Sequence, residues 1–385
     1  MTVRVEVAPE LLFWAIERAG WDDETTMRRA PRLTDWATGI RKPTLKQLEK
    51  FASDTHTPFG LLFLSEAPVE EVPIRDLRTL GNVAVPQPSA DMLDTIYMCQ
   101  TRQDWYRTYA QEVGMGGPDF VSSVTTQISP ELVAAEIRAK LDFEVTARAT
   151  FARSDALRRI LIDRIENLGV LVMVNGIVGS NTHRKLNPDE FRGFALADRL
   201  APLIFVNGVD TMSAQIFTLF HELGHIWLGK SALSDAALAS EHGNSEELWC
   251  NRVAAEVLVP STSLRAEYRG DLEVSELERL AKFYRASTLV VLKQIYDAGL
   301  LPWGKFQERY TDERARILDI LAKSAPRSSG GDYYKTQPLR LSRSFVQAVI
   351  SSTLEGTTTY RDAYQLIGTK KHSTFENLAS KLGVS

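Results

Sequence analysis

Two histidines stand four residues apart in His221-Glu222-Leu223-Gly224-His225. On an α-helix, positions four apart share a face, so both imidazoles can reach one metal ion. Glu222 follows the first histidine and can lean toward an open coordination position. There it would take a proton from an attacking water and later return it to a leaving amine. Neutral imidazoles with a carboxylate and an open position suit zinc acting as a hydrolytic Lewis acid. The bland alternative is a buried helix whose histidines are satisfied by hydrogen bonds. With only six histidines in the chain, two at this spacing around a glutamate argue against it. Ile216, Phe217, Leu219, Phe220, Leu223, Ile226 and Trp227 surround the motif with apolar side chains, as a buried active-site helix requires. Gly224 would leave room beside the metal.

Two histidines do not complete a zinc site, and a third protein ligand is expected. The downstream segment EELWCNRVAAEVLVP offers Glu246, Glu247 and Glu256. Glu247 shares a helical face with Cys250, Asn251, Ala254 and Leu258, and the small residues there would let this helix approach the histidine helix closely. Glu247 is therefore favoured, with Glu246 as runner-up. Acids at a helix N-terminus are also favoured by the dipole alone. Cys250 reads as a packed core thiol in preference to a ligand. His242 reads as a loop residue in preference to an oxyanion donor. Leu203 to Val206 reads as a strand, either internal or an exposed edge to which a peptide could add by main-chain pairing.

The elements that must position these residues follow from periodicity. Pro9 to Ala19 predicts a helix stopped by Gly20, and Thr44 is an N-cap for a helix through Leu45, Leu48 and Phe51. Between Gly20 and Leu33 there is little room for a full second helix and turn. Pro86 to Gly114, Thr126 to Asp142 and Ala149 to Asn167 predict three helices. Val170 to Val174, Phe194 to Ala197 and Leu203 to Val206 predict short strands. Helix returns over Met212 to Leu228, Glu246 to Leu258 and Ser275 to Ala298. Ser324 to Asp332 reads as loop and sets off a small helical C-terminal piece. The fold class is α+β, mainly helical.

The sequence FRGFALADRLAPLIFVNGVDTMSAQIFTLFHELGHIWLG, followed by EELWCNRVAAEVLVP, resembles the ImmA/IrrE family of zinc metallopeptidases. The resemblance places His221, His225 and Glu247 on the metal ligands and Glu222 on the catalytic acid/base. Cys250, Val253 and Val257 depart mildly from the family's usual alanine, phenylalanine and leucine. LTDWATGIRKPTLKQLEKFASDTHTPFGLLFL is similar to the end of an Xre-type helix-turn-helix domain often fused to such peptidases. VPIRDLRTLGN and GGDYYKTQPLRLSRSF resemble the linker and the tail of these fusions. The implied organisation is a helix-turn-helix-like domain over residues 1–80, a helical linker over 81–128, a zincin-like metallopeptidase domain with a small sheet over 129–300, and a helical region over 301–385. The implied partner is a protein substrate, a repressor or a toxin or antitoxin encoded nearby.

Arg28, Arg29, Arg32, Arg41, Lys42 and Lys46 make the N-terminal part locally basic, as phosphate contacts with DNA would need. The formal net charge of −4 excludes a chain basic throughout. Cys99 and Cys250, the only cysteines, argue against a disulfide framework and for a reducing cytoplasm. No signal-peptide core and no membrane span are expected. Three functions compete. They are a cytoplasmic zinc endopeptidase, a DNA-binding regulator or antitoxin whose zinc site is structural or partner-activated, and a small-molecule metallohydrolase. The motif itself specifies only metal-assisted attack by water.

Overall fold

The computed structural model describes residues 3–77, 88–150, 154–234, 244–323 and 340–384. Among them, contacts divide the chain into two compact units, one of residues 1–73 and 86–97, the other of residues 74–85 and 98–385.

The first unit is built around α1 (Pro9–Arg18), α2 (Asp23–Arg29), α3 (Leu33–Ala37) and α4 (Leu45–Asp54), followed by a 3-10 turn over Phe59–Phe63. Pro9 opens α1 at a position where a missing N–H costs nothing. Thr44 and Gln47 cap α4 reciprocally, each side chain bonding the other's backbone. The core joins Leu11, Leu12 and Ala15 of α1 to Leu48, Phe51 and Ala52 of α4 and Leu62 of the turn. The sequence between Gly20 and Leu33 holds more structure than its length suggests. Asp22 accepts a hydrogen bond from the Thr25 amide at 2.7 Å and starts the seven-residue α2. The five-residue α3 then follows almost at once.

In the second unit, a five-stranded sheet has the order β1-β5-β3-β4-β2. Its strands are β1 (Arg75–Asp76), β2 (Leu171–Asn175), β3 (Gly193–Leu196), β4 (Leu203–Asn207) and β5 (Ala232–Ser234). β2 and β4 are parallel, β3 is antiparallel to both β4 and β5, and β1 is parallel to β5. Leu203 to Val206 is therefore an internal strand, hydrogen-bonded on both sides, and cannot accept a peptide by pairing. β1 and β5, three residues or fewer, carry no alternation that a sequence could display.

The helices of this unit are α5 (Ala90–Glu112), whose first turns belong to the other unit, α6 (Pro130–Lys140), α7 (Ser154–Asn167), α8 (Met212–Leu228), α9 (Ser245–Leu258), α10 (Ser261–Glu267), α11 (Val274–Tyr284), α12 (Thr288–Asp297), α13 (Trp303–Lys323), α14 (Arg343–Leu354), α15 (Tyr360–Ile367) and α16 (His372–Leu382). One buried core runs from α6 and α7 through the sheet and α8 to α12. The single helix expected over Ser275 to Ala298 is two. Arg285 takes a left-handed conformation, with φ 57°, that closes α11, and the Ser287 side chain accepts from the Val290 amide to start α12. The expected start at Thr126 moves to Pro130, which stands at the head of α6. The loop expected over Ser324 to Asp332 lies outside the described residues. None of the described helices is long and apolar enough to cross a membrane.

Glu166, at the end of α7, accepts a hydrogen bond from the Arg343 amide at 3.1 Å and so caps the N-terminus of α14. Burial raises its pKa to about 7, against the pull of the Ser342 hydroxyl and the Ser344, Val172 and Arg343 amides. The folded chain thus holds this proton more tightly than the unfolded chain. The associated stability is fully present below about pH 4.5 and is lost as pH rises through about 7, a change on the order of 3 kcal/mol. Replacing Glu166 by Gln is expected to flatten the fall in melting temperature between about pH 5 and about pH 8. An unchanged slope in the variant would assign that pH dependence elsewhere.

Candidate metal centre

The histidine helix α8 begins where the Thr211 side chain accepts from the Ala214 amide and ends at Gly229 in a left-handed conformation, φ 67°. Every residue from Gln215 to Leu228 is buried. Such a helix must satisfy its polar side chains internally. The glutamate helix α9 starts at Asn244, whose side chain accepts from the Glu246 amide at 2.9 Å. The two helices cross closely because Gly224 has no side chain. A Cβ there would stand 3.3 Å from Cys250 Sγ and 3.5 Å from Cys250 Cα. Gly224 thus admits α9 and is not a space beside the metal.

This crossing brings three side chains to one point. His225 Nε2 lies 2.9 Å from Glu247 Oε1, and His221 Nε2 lies 3.2 Å from Glu247 Oε2. The two Nε2 atoms are 3.2 Å apart. Tetrahedral zinc with ligands about 2.0–2.1 Å away spaces its ligand atoms about 3.3 Å apart, so the set has the size of a zinc site. Protonation also fits. His221 Nδ1 is 2.9 Å from Asn251 Oδ1, an acceptor, which puts the ring proton on Nδ1 and turns the Nε2 lone pair toward Glu247. Two ring nitrogens and a carboxylate, all buried, then face a common centre that calls for a cation. Ser234 of β5 joins them, with its Oγ 3.3 Å from His225 Nε2 and 3.4 Å from Glu247 Oε1.

Without an ion, the same contacts act on the titratable groups. Burial alone would lower the His221 pKa, but the Glu247 carboxylate outweighs it and raises it. His225 is lowered, chiefly by burial. Burial would raise Glu247, but His221 and His225 hold it well below the usual carboxylate range. Both oxygens of Glu222, beside the triad, are buried and make no hydrogen bond of good geometry, though the Ser234 hydroxyl acts on the carboxylate; in the ion-free site burial pushes its pKa up to about 8. Its position is set by the sheet. A Cβ on Gly193 of β3 would stand 2.6 Å from Thr218 Cγ2, 2.8 Å from Phe205 O and 3.0 Å from Glu222 Oε1, so only glycine lets β3 lie this close to α8.

The other sequence-predicted residues lie elsewhere. Glu246 pairs with Arg75 of β1 at 2.8 Å and has turned away from the triad. Glu256 accepts from the Ser261 amide and hydroxyl and from Gln294. Cys250 is buried against Gly224, with its thiol pKa pushed well up by burial. His242 lies outside the described residues. Arg28, Arg29, Arg32, Arg41, Lys42 and Lys46 are all exposed in the first unit. There Arg29 lies over the Trp21 ring and Lys42 pairs with Glu6 at 3.1 Å. Sequence reasoning missed Ser234 and Gly193. For Asn251 a signal was present, since it stands four residues after Glu247 on the same face.

No curated protein matches the chain. Residues 341–381 match the model of a domain of unknown function (DUF8813), which spans α14, α15 and α16. The segment from residue 165 to residue 296, which contains β2 to β5 and both helices of the triad, matches the peptidase family model described as the IrrE N-terminal-like domain.

Proposed function

We propose that the protein is a zinc-dependent endopeptidase that cleaves a partner protein. The observation that carries this reading is the convergence of His221, His225 and Glu247 beside the buried Glu222. His221 and His225 through Nε2 and Glu247 through its carboxylate would hold the ion. Zinc, when bound, supplies Lewis-acid polarisation of the scissile carbonyl and makes water a nucleophile near neutral pH. Glu222 accepts the proton of the attacking water and delivers it to the leaving amine. Its buried carboxyl, whose pKa is raised in the ion-free site, would ionise beside a bound cation and so be able to take that proton. Asn251 fixes the ring of His221, and Ser234 donates to Glu247 Oε1 while its oxygen lies beside His225 Nε2.

Hydrolysis of an unfolded protein substrate is expected to stop on treatment with a strong zinc chelator and to return on adding back zinc. A His221→Ala/His225→Ala double variant should hold less than a tenth of the wild-type zinc and recover nothing. Full zinc retention in that variant would sink the reading. The exposure of the six basic side chains supports a second activity, contact of the first unit with DNA phosphates. It predicts a duplex mobility shift that weakens in Arg41→Ala/Lys42→Ala. An unaltered shift counts against contacts there.

A further inference from the structure

A cavity of about 420 Å³ opens at the carboxyl ends of β2 and β4, and it shares no lining residue with the metal centre. This size falls in the range of small-molecule sites. The carboxyl ends of parallel strands are where open sheets leave such crevices. Both strands end in the same way, on an asparagine followed by glycine, Asn175-Gly176 at β2 and Asn207-Gly208 at β4. The Gly208 amide donates to Asn175 O at 2.9 Å. A Cβ on Gly208 would meet Gly176 N at 3.0 Å, and one on Gly176 would meet Val209 Cγ2 at 3.0 Å. These two reversals therefore form a tightly packed floor.

Three cations surround this floor. They are Arg158 of α7, Lys185 and Arg340, and no carboxylate of the described residues lines the cavity. Arg158 Nε is buried without a hydrogen-bond partner. Its Nη1 is occupied by Gln215 Oε1, and Gln215 in turn donates to Gly208 O at 3.2 Å and Asp210 O at 2.6 Å. Two acids lie outside the lining: Asp210 faces Arg192 at 3.7 Å through Oδ2 and accepts from the Thr211 amide through Oδ1, and Asp155 on α7 acts favourably on Arg158. Three positive side chains line one cavity, and an anion placed among them would be attracted by each. The remaining walls include Val174, Ile177 and Val209, which fit an apolar body and not a bare ion.

We propose that this cavity binds a small organic anion, whose phosphate or carboxylate head is held by Arg158, Lys185 and Arg340 and whose apolar body lies on Val174, Ile177 and Val209. Calorimetric titration of the full-length protein tests it, with phenyl phosphate and benzoate as probes and benzyl alcohol as the uncharged control. Saturable binding of at least one anion is expected, and the tighter of the two identifies the head group. Benzyl alcohol should not bind. Because Arg158 also holds Gln215 in the first turn of α8, the informative variant is Lys185→Ala/Arg340→Ala. Lys185 is exposed and Arg340 half-buried, so both can be truncated without opening the core. Affinity for the anion should fall at least tenfold in this variant while its melting temperature stays near that of wild type. Absence of saturable binding by both anions, equal binding of benzyl alcohol, or undiminished affinity in the double variant would overturn the proposal.

Discussion

Glu222→Gln is expected to slow hydrolysis by roughly 10²–10⁴-fold while leaving zinc content unchanged. The amide has the size and shape of the carboxylate but cannot accept a proton from water. It also fills the same space between α8 and Gly193, so the approach of β3 is preserved. The three side chains that converge on the metal position do not include Glu222, which is why zinc content should hold. Wild type and variant, loaded with equal zinc, are compared by the rate at which an intact protein substrate disappears. Equal rates would remove Glu222 from the chemistry. A variant that loses zinc as well would make Glu222 part of the binding set.

The second large effect is expected from Glu247→Ala. Glu247 supplies the only carboxylate of the triad and the charge that raises His221. Without it, burial prevails and His221 becomes an ordinary neutral core histidine, so the metal-free variant should fold. Its zinc affinity should drop by more than the 10- to 100-fold that loss of an orienting neighbour costs. Competition against a chromogenic chelator measures this directly. Glu246→Ala is the matched control, since Glu246 faces Arg75, and it should bind zinc as wild type does. Loss of affinity in Glu246→Ala with retention in Glu247→Ala would reassign the ligand.

The parts of this architecture that were legible in the sequence are those with local periodicity. The α8 helix shows its apolar surroundings and its two histidines one turn apart, and α4 announces itself through Thr44 and Gln47. Glu247 could be favoured over Glu246 because the small residues sharing its face imply a close crossing, which Gly224 and Cys250 provide. Features that depend on distant segments were not legible. Whether β4 lay at an edge depended on β3 and β2 pairing on either side of it. The break between α11 and α12 has no glycine or proline, and Arg285 adopts its left-handed conformation without one. Ser234 sits in a three-residue strand that exists only because β3 and β1 flank it. Gly193 reads as an ordinary strand residue until α8 is seen packed against it.

The two helices that supply the triad are consecutive in the fold, yet Glu247 lies 22 positions after His225 in the chain. An ion gripped by both therefore fastens together two stretches that the unfolded chain would leave apart. Anything that binds only the folded form stabilises it by mass action, about 2.7 kcal/mol when its free concentration is 100 times the dissociation constant. An ion held there would make the loaded chain the more resilient species, and the supply of metal would then set how much of the protein survives as well as how much of it can act.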